Sequence, residues 1–171
     1  MRTSDHRSIN SEDKVRQRIY LDIGHFIYAF SQLEFSIRAI LGRHLGLSND
    51  QFDIVTSPYD FRMLCQVVSE LYQVGHSDLV AAKKIKKLLD DCQRLNDDRV
   101  RVAHGTWSID AQGASARQVS RQTLRGSFYF DDPQKLASPA NRADELKDQV
   151  LRLQTIESRP RPAPRRSPSN R

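Results

Sequence analysis

The chain has 171 residues, 38% of them hydrophobic, two cysteines and a formal net charge of +6. A chain of that length suits one domain that buries about 70% of its unfolded surface without disulfide staples. The charge is local: the five arginines of SRPRPAPRRSPSNR, residues 158–171, face no acid there and account for +5, so the preceding body carries +1 and is close to neutral, and the basic balance is mostly a property of the tail.

Taken in order, residues 1–13 are polar and without periodicity, which predicts a disordered N-terminus with no secretory signal. No later stretch approaches the ~18 uninterrupted apolar residues of a membrane span, so a cytoplasmic protein with no membrane partner is expected. From Lys14, Val15, Ile19, Ile23, Phe26, Phe30, Leu33, Ile37 and Ile40 fall at helical spacing and predict one long helix ending near Gly46. Glu34 interrupts its inner side. It either pairs with Arg38 one turn on or holds Arg99 or Arg101 in place. A linker over 47–56 leads to Ser57-Pro58-Tyr59-Asp60, a helix start with Ser at the cap and Pro first. Phe61, Leu64, Cys65, Val68, Leu71 and Tyr72 make that helix's apolar face; Gly75 stops it and Ser77 caps the next.

The third helix is predicted over 78–102. Ala81, Ile85, Leu88, Cys92, Leu95, Arg99 and Val102 alternate at spacings of four and three, so one arginine occupies a core-facing stripe. Burying a guanidinium without partners is costly. Lys83, Lys84, Lys86 and Lys87 form an outer side, read as a solvated face or a phosphate contact. Beyond Gly105 the period changes: Thr106–Ile109 predicts a strand, 110–113 a turn and Ala116–Phe130 one or two returning strands without a clearly apolar face. Asp132-Pro133 and Ser138-Pro139 read as two helix starts, with Ala143, Leu146, Val150 and Leu153 as the buried line of a closing helix. The expected fold is mainly α: a bundle of three long helices and a closing helix over 14–157, with a small hairpin at about 106–130. The Arg/Pro-rich tail, 158–171, is expected to be disordered, serving phosphate attraction or solubility.

Several chemistries lack support. The seven glycines form no phosphate loop. The five histidines and two cysteines show no zinc spacing, so neither a metal nor another cofactor is expected. The cysteines fall on apolar stripes and read as reduced core thiols. The neighbouring acids Asp97 and Asp98 do not converge on a helix, and Asp97 is spaced to pair with Arg101. Arg99 and His104 are different. They converge if the helix unwinds near Ala103 and Gly105, with Asn96 one turn back to fix the guanidinium. A planar cation beside an imidazole suits holding a phosphodiester while a proton moves.

The long first helix containing QLEFSIRAIL, and the block DDRVRVAHGTW ending a later helix before a hairpin, resemble the HEPN superfamily of prokaryotic proteins. That family's hallmark is an Arg, four to six residues, then His, and Arg99 and His104 fit with four between them. The resemblance implies a HEPN-like homodimer whose two motifs meet across the interface. It also implies metal-independent cleavage of RNA in a toxin or phage-defence setting, with a cognate antitoxin or other protein partner. In that scheme His104 is general acid or base and Arg99 stabilises charge on the phosphate. Arg101 or Asn96 positions it, and Glu34 and Trp107 complete the candidate site. Val100 stands where active members usually carry a polar residue. The alternative is a non-catalytic dimeric helical module that binds RNA, a nucleotide or a protein partner through the hairpin and tail.

Overall fold

The structure, a computed structural model, describes residues 11–75, 79–110, 113–119, 125–131 and 133–157. It is mainly helical, with the elements α1 (Ser11–His44), α2 (Asn49–Thr56), α3 (Phe61–Gly75), α4 (Leu79–His104), β1 (Thr106–Asp110), β2 (Gly113–Val119), β3 (Gly126–Tyr129) and α5 (Pro133–Glu157). The three strands form one antiparallel sheet in the order β1-β2-β3.

The apolar periodicity explains the packing. On α1, Phe26, Phe30, Leu33, Ile37 and Ile40 are buried at helical spacing, and they meet Leu64 and Val68 of α3, Leu89 and Cys92 of α4, and Leu146 and Val150 of α5 in one core. Each such side chain contributes about 1.5–3 kcal/mol when removed from water. Helix α1 lies chiefly along α5, and α3 along α4. The α4 stripe is buried as its spacing predicts at Ile85, Leu88, Cys92, Leu95 and Val102, while Arg99 is half-buried.

Several boundaries differ from those read in the sequence; α4 runs on to His104 and β2 begins at Gly113, not Ala116. The 47–56 linker contains a helix, α2, entered through Ser48, whose backbone N–H donates to the Gln51 side chain at 3.0 Å. Ser57 therefore ends α2. Asp60, accepting from the Met63 backbone N–H at 2.8 Å, caps α3 instead. Residues 11–13, grouped with a disordered N-terminus, begin α1. The two proposed helix starts near the C-terminus are one helix. Pro139 is buried inside α5, where it removes one backbone donor without breaking the rod.

The hairpin is a three-stranded meander. Thr106 pairs with Arg117 and Trp107 with Ala116 in one ladder; Arg117 pairs with Phe128 and Val119 with Gly126 in the next. Its inward face carries Ala114 and Ala116, both buried. Alanines this small gave no readable apolar alternation. Ser77, residues 120–124, Asp132 and the 1–10 and 158–171 segments, for which a cap, part of a returning strand, a helix start and disorder were expected, lie outside the described residues.

Candidate functional site

The end of α4 meets the middle of α1, the start of α3 and strand β2 around a cleft with a volume of about 580 Å³. Asn96, Arg99, Val100 and Arg101 come from α4, Glu34 from α1, Asp60 to Arg62 from the α3 start and Gln118 from β2. Asn96, Arg99, Arg101 and Glu34 are thus brought together. His104 and Trp107 are not among the lining residues.

Charges in this cleft are mostly paired, and the pairs differ from those the spacing suggested. Glu34 accepts from Arg38 at 2.5 Å. Arg38 also donates to the Thr56 and Tyr59 carbonyls, tying α1 to the α2–α3 connection. Glu34 is therefore the partner of Arg38, one of the two roles open to it in the sequence; no ion pair joins it to Arg99 or Arg101 among the described residues. Arg101 pairs with Asp98 at 2.7 Å, not with Asp97, which reaches across to Arg62 at 3.4 Å. At i,i+3 the shorter Asp98 reach suffices, and the α3 guanidinium takes the outer acid. Arg99 is the exception. Its guanidinium lies 5.8 Å from the Phe30 ring centroid, and no carboxylate stands within 4.0 Å of it among the described residues. A cation–π contact of this kind is worth about 0.5–2 kcal/mol and leaves the N–H donors unsatisfied by any acid.

His104 is the last residue of α4 and is exposed. The expected unwinding near Ala103 does not occur, because the Gly105 N–H donates to the Arg101 carbonyl at 2.9 Å and continues the helical pattern. On an unbroken helix His104 is turned about 140° from Arg99 but only about 40° from Val100. Since Val100 lines the cleft, His104 stands four residues, about 6 Å, further along the axis on the same side of the helix. Both Arg101 and His104 occupy the last turn, where the helix dipole favours cations.

Trp107 has a structural job. Its indole N–H donates to the Val102 carbonyl at 3.0 Å, satisfying an end-of-helix acceptor, and its ring stacks on Phe130 with centroids 5.9 Å apart. Gly105 serves the same junction: a Cβ there would lie 2.5 Å from the Arg101 carbonyl oxygen and 3.1 Å from the Ala116 Cβ. Gln118 and Arg62 were not singled out in the sequence; a glutamine on a polar strand and an arginine in a first turn carry no signal of what they face.

Burial pushes the Cys65 thiol far above its ordinary range and the Cys92 thiol up to about 12, so both are held as thiols. Among the described residues no group of three or more His, Cys, Asp or Glu is placed to hold a metal ion, and no helix is long and apolar enough to cross a membrane. Comparison with protein-family models, curated proteins and solved structures returned no match to this chain.

Proposed function

We propose that the chain is a HEPN-like, metal-independent endoribonuclease in which Arg99 holds the scissile phosphate and His104 moves a proton at the mouth of the cleft. The observation that carries this reading is the Arg99 guanidinium, half-buried in a cleft whose other arginines are paired, with no carboxylate of its own. An unpaired guanidinium in such a place is suited to an anion with planar, bidentate recognition. Asn96, one turn before Arg99, and Arg101 flank that position from the same helix.

The chemistry is attack of a ribose 2′-oxygen on the adjacent phosphorus. That oxygen loses its proton to a base, a cyclic phosphate forms, and the departing 5′-oxygen receives a proton from an acid. Arg99 stabilises the charge that gathers on the phosphoryl oxygens in between. One chain supplies one histidine at this place, and the nearby acids Glu34, Asp60 and Asp97 are engaged elsewhere. A second copy supplies the second proton-transfer group. The outer face of α1 supports self-association: Tyr20, Leu21, Ile27, Tyr28 and Phe35 stand exposed there. They present roughly 600 Å² on typical side-chain areas, close to the ~800 Å² that each partner buries in a standard interface. A toxin or phage-defence role, with a cognate antitoxin as protein partner, belongs to the same proposal.

The test is turnover of RNA by purified protein in excess chelator. Arg99→Ala and His104→Ala should each lower the rate at least a hundredfold, as loss of an oxyanion donor or an acid–base group does. Cleavage by His104→Ala at the wild-type rate would overturn the role given to His104, and no cleavage by the wild-type chain would leave only the binding module.

A further inference from the structure

A second cleft, of about 450 Å³, adjoins the first, and Arg101 is the partition. Arg101 lines the first cleft, while both of its partners, Asp98 at 2.7 Å and the Tyr129 ring 4.5 Å below its guanidinium, line the second. The acids of the second cleft are neutralised where they stand: Asp98 by Arg101 and Asp131 by Lys135 at 2.7 Å.

Phe128 is what packing does not explain. It lines this second cleft from β3, an edge strand, with 66% of its surface in water. It is not a side chain adrift on a slack loop. Tyr129 beside it is held under Arg101. Phe130 next to that has φ +58°, a left-handed conformation costing a bulky residue about 1–2 kcal/mol. Phe130 holds that conformation with its ring buried against Trp107. Two inward anchors therefore fix the end of β3 and present the Phe128 ring outward. Directly across the ladder is Arg117, which shares its outer face. The Arg117 guanidinium lies over Gly126, where a Cβ would come within 2.9 Å of Nε, and no carboxylate pairs with it among the described residues.

A flat exposed ring with the unpaired Arg117 guanidinium on the same face of the sheet matches an unstacked base whose backbone phosphate is held by the arginine. A duplex hides its base faces and has nothing to lay on such a ring. We infer that the Phe128 cleft is a nucleobase subsite that makes single-stranded RNA the substrate class, with Phe128 as the stacking platform and Arg117 as a backbone contact. The inference rests on the reading of the Arg99 cleft as the phosphate site.

The experiment measures fluorescence anisotropy of a labelled single-stranded RNA decamer with the full chain in a His104→Ala background, so that nothing is cleaved. Adding Phe128→Ala to that background should weaken binding about tenfold, as loss of one stacked base does. Phe128→Trp should retain the affinity, and an abasic decamer should bind equally well with and without Phe128→Ala. Equal affinity for the normal decamer with and without Phe128→Ala, or the same tenfold loss on the abasic strand, would overturn the subsite. So would concentration-dependent self-association that Phe128→Ala abolishes while RNA affinity stays unchanged, since the ring would then belong to a protein contact. Failure of the catalytic reading looks different: Phe128-dependent binding with no His104-dependent cleavage.

Discussion

Arg99 keeps a charge half-buried over Phe30 where the rest of the α4 stripe is apolar, and the oddity is visible in the sequence because the stripe is otherwise regular. What spacing could not reveal was its partner. An aromatic ring on another helix, far earlier in the chain, does not announce itself as the seat of a guanidinium. The same holds for Arg38, whose bonds to two backbone carbonyls depend on where α2 ends. The cysteines, by contrast, were legible as core residues from the helical period alone. Their chemistry follows from burial: removing a thiolate from water raises the pKa of Cys65 and Cys92, so neither ionises near neutral pH. Native protein at pH 8 should therefore resist iodoacetamide, with both thiols labelled only after denaturant is added. Rapid labelling of either in the native state would contradict the packing of α3 on α4.

Among the elements, the long helices α1, α3 and α4 were readable because each carries an apolar face at 3.6-residue period. Helix α2 was not. It is eight residues long and its Ile54 points to solvent, so its place is set by tertiary contact: Phe52 packs so closely on Gly42 that a Cβ there would lie 2.6 Å from the ring. Pro139 misled in the other direction, since a proline reads as a helix start while α5 tolerates it inside a buried turn. The α4–β1 junction was legible as a change of period, though the helix continues through His104 with no unwinding. Gly105 makes that abrupt switch possible. Gly105→Ala should cost about 1–3 kcal/mol by crowding the Arg101 carbonyl and Ala116, a fall of about 3–10 °C in Tm for a chain of this size. An unchanged Tm in a thermal melt would show that the junction has slack.

At the scale of the whole molecule, the bundle fixes the cleft and the sheet closes one side of it. Helix α1 supplies Phe30 and Glu34, α3 brings Arg62, and α4 carries Asn96, Arg99 and Arg101 into the same space. His104 ends the same helix, exposed and outside the cleft lining. The mainly helical layout could be anticipated from the chain, whereas the cleft could not, because it is made by contacts between elements far apart in sequence. The most direct measurement is the chemistry of the RNA ends left after incubation with the full chain in excess chelator, read by mass spectrometry. Attack by the 2′-oxygen predicts 2′,3′-cyclic phosphate ends that disappear with His104→Ala and with Arg99→Ala; 3′-hydroxyl ends, or cyclic ends that persist in both variants, would contradict it.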